Sequence, residues 1–265
     1  MAGAEPFSHR GGPSGVLVVH GFTGNPQSLR PLAERLAGVG FSVELPLLPG
    51  HGTDVEEMIP TRWADWAGAT DRAFRDLAGR CTEVAVAGLS MGGTLACRLA
   101  EREPGVRALV LVNPMVDPPA ESYRDVLRGL LEAGTEVAPG IGSDVAKPGI
   151  SELAYPGSPL APALSLFEGV DEVAGGLAGI RCPVLVFSSR QDHVVPSSSG
   201  DVLVAGVSGP VTRVWLERSY HVATLDYDAP EIEDRTVAFL TGLLPTGETG
   251  AAESAAAGTA PAAGG

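Results

Sequence analysis

Cysteine is scarce in this chain: three residues, Cys81, Cys97 and Cys182, out of 265. The number is odd, and the three sit in apolar or strand-edge surroundings without metal-ligand spacing. Neither a disulfide framework nor a metal site is implied, so no cofactor or metal is expected. Basic charge is also short. With 18 Lys and Arg against 32 Asp and Glu, the net charge is −14. That balance argues against a nucleic-acid partner, because phosphate binding needs a cationic surface. It disfavours tight binding to anionic membranes as well, though not brief contact with a lipid surface. Long apolar runs are missing too. No stretch approaches the length of a membrane span, and residues 1–14 lack the basic start and apolar core of a signal peptide. The expected compartment is the cytoplasm.

What is present is enough for one well-buried domain: 265 residues, 44% apolar and 19% charged. The stretch Glu83 to Glu103 organises it. A short apolar run (Val84 to Ala87) passes through Gly88-Leu89-Ser90-Met91-Gly92-Gly93 and turns helical. This is the pattern of a nucleophile elbow, in which a sharp strand-to-helix turn exposes a serine hydroxyl above a sheet. In a chain with 35 Gly the bare motif is weak, and the strand before it and helix after it give it weight.

The rest of the first half alternates strand and helix. Gly15 to His20 is a continuous apolar strand, Ser28 to Val39 a helix closed by Gly40, and Phe41 to Leu45 a second strand. A helix over Trp63 to Gly79 leads into the serine-bearing strand, and Arg107 to Asn113 forms another. Such alternation predicts an α/β fold with a mostly parallel central sheet flanked by helices. The rhythm breaks over 117–179, too long for a plain loop. It holds helical pieces near Ala120–Gly134 and Pro162–Ala178 and reads as a cap over the serine. The sheet resumes at Pro183–Ser188 and Val211–Leu216, and a helix over Glu231–Leu243 closes the domain. The expected organisation is a polar segment 1–14, a core of 15–116 and 180–244, a cap insertion 117–179, and a disordered Ala/Gly tail 245–265.

A serine nucleophile needs a base and a group that orients the base. In parallel sheets, functional groups gather beyond the carboxyl ends of the strands. Two such ends follow the cap, and Asp192 and His221 lie just past them, in the chain order Ser, Asp, His. His193 adjoins Asp192 but diverges from it as the next side chain of a loop, so it is read as supporting or solvated. His20 is read as a hydrogen-bonder that shapes its loop. Asp226 and Asp228 could pair with a base, but are read as starting or capping the last helix. The oxyanion hole is expected from the backbone N–H groups of Met91, after the nucleophile, and Phe22, after the first core strand.

The segments HGFTGNPQSLRPLAERL, LPGHGTDVEEM, GLSMGGTLA, IGSDV, SELAYP, SSRQDHVVP and SYHVATLDYD resemble the bacterial monoacylglycerol lipases of the α/β-hydrolase superfamily. Small bacterial carboxylesterases are similar in the same way. The resemblance runs from about Ala4 to Phe239. It implies an α/β-hydrolase fold and a serine esterase acting on a small-molecule lipid ester, with Ser90 as nucleophile, His221 as base, Asp192 as orienter, and Phe22 and Met91 at the oxyanion hole. In the cap it implies a glycerol-side carboxylate at Glu152 and a gate-like apolar residue at Ile141. An acyl tunnel lined by cap residues such as Val126, Leu127, Leu130, Leu131, Val137 and Ile150 would suit that substrate. The same residues would serve equally as cap core. A general carboxylesterase, a thioesterase or C–C hydrolase, and a binding module without turnover stay open as alternatives.

Overall fold

A computed structural model of the chain describes residues 1–140 and 142–247. Its frame is a seven-stranded sheet whose strands lie in the order Phe7–His9, Ser42–Leu45, Ser14–Val19, Glu83–Leu89, Val106–Val112, Val184–Ser189 and Val211–Leu216. The chain enters by β1 (Phe7–His9) and β2 (Ser14–Val19), then α1 (Arg30–Gly38), β3 (Ser42–Leu45), α2 (Val55–Met58) and α3 (Trp63–Ala78). Next come β4 (Glu83–Leu89), α4 (Met91–Arg102) and β5 (Val106–Val112). An insertion follows with α5 (Glu121–Glu132), β6 (Val137–Pro139), β7 (Gly157–Pro159) and α6 (Leu160–Gly176). The chain then returns to the sheet with β8 (Val184–Ser189), α7 (Ser198–Gly206), β9 (Val211–Leu216) and α8 (Ala229–Thr241).

All pairings in the large sheet are parallel except that of β1, which runs antiparallel along β3. This edge strand was not expected. It is three residues long and largely exposed, so it carries no apolar signature. The interior strands are legible because both their faces are covered. Val16 and Val18 face α1 and α8, while Leu17 and Val19 face the α3–α4 side, and all four are fully buried. Each such side chain contributes about 2 kcal/mol of burial, which a half-covered strand would obtain only at alternate positions.

The insertion is fastened to the core through α6. The ring of Trp63 lies on Gly169, where an added Cβ would come 2.2 Å from Trp63 Cδ2. The Trp63 amide donates to Ser165 Oγ at 3.1 Å. α5 is held to α6 by Arg124, whose guanidinium donates to both oxygens of Asp171 at 2.5 and 2.8 Å. β6 and β7 pair with each other as a separate antiparallel ribbon, which the sequence did not reveal.

Two expectations need restating. Of the tail over 245–265, residues 248–265 lie outside the described residues, while Gly247 donates its N–H to Gly40 O at 3.4 Å. Among the cap residues assigned to a tunnel, Val126, Leu130 and Ile150 are exposed. Helical spacing puts Arg124, Leu127 and Leu131 on the packed face of α5 and leaves Val126 and Leu130 on the exposed side with Tyr123. No helix of the described residues is long and apolar enough to cross a membrane.

Candidate active site

Parallel pairing brings the carboxyl ends of β2, β4, β5, β8 and β9 to one edge of the sheet, and the site is assembled there. At the end of β4 the chain turns through Ser90, which has φ 55 and ψ −119 before α4 begins. The turn works only with glycine on either side. A Cβ on Gly88 would lie 2.2 Å from Gly92 O, and one on Gly92 would lie 2.0 Å from Val19 O. Thr23 (φ 62) and Asn113 (φ 44) follow neighbouring strand ends, and with Ser90 they are the positive-φ non-glycine residues among those described. Backbone strain gathers at this one edge.

Behind the serine stand Asp192 and His221. Asp192 Oδ2 meets His221 Nδ1 at 2.7 Å, and Oδ1 accepts the N–H groups of Val194 and Val195 at 2.8 and 2.7 Å. The two side chains are 3% and 8% exposed. A carboxylate that accepts only N–H donors assigns the proton to Nδ1 and leaves the Nε2 lone pair free. The described residues hold no hydrogen bond from the Ser90 hydroxyl to His221. Contacts of this kind commonly tighten only around substrate. Both residues line one cavity of about 640 Å³, together with Phe22 and Glu152.

Of the two expected oxyanion donors, Met91 directly follows that serine and Phe22 lines the same cavity. Gly21 is in van der Waals range, since a Cβ there would lie 3.5 Å from Ser90 Cβ. The next N–H, that of Phe22, has no protein acceptor among the described residues. Met91 opens α4, so its N–H has no acceptor within the helix. Beneath the loop, His20 Nε2 accepts from Leu48 N at 3.1 Å and Nδ1 donates to Gly21 O at 3.0 Å. Burial lowers the His20 pKa to about 3, with neighbouring His51 adding to the shift, so the imidazole is a neutral strut. The ring of Phe22 stands edge-on to Trp66 at 5.7 Å.

Glu152 belongs to a strap that crosses the loop after β2. A Cβ on Gly24 would lie 2.5 Å from Glu152 Oε1, so the carboxylate packs directly on that loop. Burial pushes its pKa up, and the His221 imidazole and Ser28 hydroxyl oppose the shift only in part. Tyr155 pins the same strap. Its hydroxyl donates to Gly50 O at 2.8 Å and accepts from Thr53 N at 3.1 Å, and its N–H donates to Thr23 O at 3.1 Å. Ile141 lies outside the described residues.

Two aspartates differ from expectation. Asp228 does precede α8, but its side chain makes no cap bond and accepts from the N–H groups of Arg218 and Ser219 instead. Asp226 accepts from Ala146 N, Lys147 N and Tyr220 N, tying the insertion to the loop that carries His221. Three partners of the site had no signal of their own in the sequence: Tyr155, Asn113 and Asp144. Asn113 Nδ2 donates to His221 O at 2.8 Å.

A doubly wound sheet with a serine elbow and an aspartate–histidine pair past its last two strands defines an α/β hydrolase, and the chain belongs to the alpha/beta hydrolase family, whose model matches residues 16–233. Among relatives, it is 44% identical over 242 residues to the thermostable monoacylglycerol lipase of Bacillus sp. (strain H-257), covering 90% of this chain and 95% of that protein. It is 27% identical to a carboxylesterase of Bacillus subtilis (strain 168), over 90% and 97% of the two chains. A solved structure described with the metagenome-derived lipolytic enzymes LipS and LipT superposes with a TM-score of 0.87 at 38% identity, over 91% of this chain and 99% of that one.

Proposed function

We propose that this enzyme hydrolyses monoacylglycerols to glycerol and a fatty acid through an acyl-enzyme. The observation that carries the reading is the composition of the cavity over Ser90. Leu127, Leu160, Leu166 and Phe167 from the insertion supply an apolar wall for an acyl chain, and half-buried Glu152 stands by the oxyanion loop. The 44% identity to a monoacylglycerol lipase along nearly the whole chain supports the same substrate.

Ser90 attacks the ester carbonyl while His221 Nε2 takes its proton. Asp192 holds the imidazole by Nδ1 and stabilises the imidazolium. The N–H groups of Phe22 and Met91 meet the developing oxyanion, and each such donor is worth about 3 kcal/mol in the transition state. His221 then protonates the departing glycerol oxygen, and later draws a proton from the water that releases the fatty acid. Glu152 accepts hydrogen bonds from the glycerol hydroxyls, which distinguishes a diol head from a simple alcohol. Residues 117–179 serve as the cap that excludes water from the ester and touches lipid surfaces transiently. Three free thiols fit a reducing cytoplasm.

The test is steady-state hydrolysis of a monoacylglycerol series of varied chain length, beside di- and triacylglycerols and a short p-nitrophenyl ester. Preference for monoacylglycerols is expected, with Ser90→Ala abolishing turnover of every ester. Glu152→Ala should lower kcat/KM for monoacylglycerols roughly tenfold, about one lost hydrogen bond to a charged group, and spare the p-nitrophenyl ester. Activity confined to the short ester would turn the assignment to a general carboxylesterase.

A further inference from the structure

The insertion does more than cover the cavity, because one of its side chains grips both catalytic loops from behind. Asp144 is 8% exposed. Its Oδ2 accepts the His221 N–H at 2.9 Å and the His193 N–H at 3.2 Å, and its Oδ1 meets His193 Nδ1 at 2.8 Å. Its own carbonyl accepts from Val222 N at 3.0 Å. One aspartate thus joins the loop after β8, which carries Asp192, to the loop after β9, which carries His221. The opposite side of the His221 peptide is held by Asn113, so the backbone of the base is bracketed at N–H and C=O by two different elements. His193 is fixed in turn by Tyr220, whose ring it meets edge-on at 4.5 Å.

From this arrangement we infer that Asp144 is a positioning residue for the hydrolytic reaction: a carboxylate in the insertion that sets the placement of the His221 imidazole relative to Ser90 by clamping the two catalytic loops together. The inference rests on the Ser90–Asp192–His221 reading above. Its chemistry follows from the geometry. His221 must swing its Nε2 proton between the serine, the leaving oxygen and water, so its ring has to sit within a few tenths of an ångström of one position. Asp192 orients the ring through Nδ1 but does not fix where the peptide carrying that ring sits. The Asp144 and Asn113 contacts to the His221 peptide do that. Removal of Asp144 leaves two buried or half-buried N–H groups without an acceptor and frees the loop to drift.

Asp144 also lines the cavity, so the experiment has to separate positioning from contact with substrate. We would measure kcat and KM for Asp144→Ala and Asp144→Asn on a monoacylglycerol and on a p-nitrophenyl ester of the same acyl chain. An asparagine oxygen can accept both backbone N–H groups, and its amide can donate to His193 Nδ1 in the tautomer that carries its proton on Nε2, so it reproduces the clamp. The expected result is a loss in kcat of roughly 10- to 100-fold for the alanine variant on both esters, the scale of a misplacement near 1 Å. KM should stay within about threefold, and Asp144→Asn should recover to within about threefold of the unsubstituted enzyme.

An unchanged kcat in Asp144→Ala would overturn the proposal. So would a defect confined to KM for the monoacylglycerol, which would make Asp144 a head-group contact, or an asparagine variant as impaired as alanine. Should Asp144→Ala fail to fold, amide hydrogen exchange in the unsubstituted enzyme decides: the His221 and Val222 N–H groups should be protected together, and exchange of the His221 amide at open-loop rates would sink the clamp. Turnover that survives Ser90→Ala or His221→Ala would instead sink the triad reading itself, whatever Asp144 does.

Discussion

Ser90 combines φ 55 with ψ −119, a conformation that costs a residue bearing a Cβ of order 1–3 kcal/mol and costs glycine almost nothing. The rest of the elbow forces it there, since Gly88 and Gly92 bring the strand and helix backbones into contact. Ser90 is therefore a destabilising residue in its own fold. Replacing it with glycine should raise stability by about 1 kcal/mol, after the extra chain entropy of glycine is subtracted. For a protein of this size that is a rise in Tm of roughly 2–4 °C. Ser90→Ala keeps a Cβ and should show no such gain. Calorimetry of the two inactive variants side by side checks this, and equal Tm values would show that the turn is unstrained. At this scale the sequence is uneven. Ser90, Asp192 and His221 could be picked out because each follows a strand end, where one residue type and one chain order carry the meaning. Asp144 could not, because its partners His193 and His221 lie 49 and 77 positions away. Its role exists only once the insertion has folded back over both loops.

Where α4 meets the C-terminal end of α6, a carboxylate is trapped between helices. Glu101 Oε2 would lie 2.5 Å from a Cβ placed on Gly176, and Glu101 Oε1 is buried without a hydrogen-bond partner among the described residues. Burial, with repulsion from Glu172 behind it, raises its pKa from 4.5 to about 7, against the pull of Arg102 and Arg98. The folded state thus holds this proton more tightly than the unfolded chain does. Stability is lost as pH rises from about 4.5, and the loss is complete above about 7. Glu101→Gln, neutral throughout, should raise Tm by a few degrees at most at pH 8 and leave it unchanged near pH 4. A gain of equal size at both pH values would assign the effect to packing rather than charge. This helix pair also marks the limit of what element-level reading could reach. Strands such as β2 and β4 declare themselves by apolar residues on both faces. Amphipathic α5 is legible as a helix, but which of its faces packs inward is not, and Val126 and Leu130 stand exposed rather than lining the cavity. Three-residue strands such as β1, β6 and β7 are too short to show any period.

Across the described molecule, the candidate site occupies one edge of the sheet and the last described residues lie at the other. Gly247 comes to rest against Gly40 and Gly12, which precede β3 and β2, so the last described residues lie by the amino ends of those strands. Ser90 and its partners lie past the carboxyl ends, about 20 Å away across six residues of β2. The final buried apolar anchor is Leu244, 3% exposed, which packs with α8 into the layer beneath the sheet. Among the described residues, ending the chain after Leu244 removes the Gly247 contacts and nothing that touches the site edge. Such a variant should keep kcat/KM within roughly twofold on every ester and lose no more than a few degrees of Tm, since trimmed termini act through the backbone contacts they make. Ending it after Leu240 instead removes Leu244 and should cost about 2 kcal/mol or more from lost apolar burial. Thermal unfolding and activity of the two truncations, measured together, check both statements. If the shorter cut were harmless, Leu244 would be no anchor. If the longer chain lost turnover while keeping its Tm, the tail would act on the site itself, and the separation of the two edges would not describe how this enzyme is built.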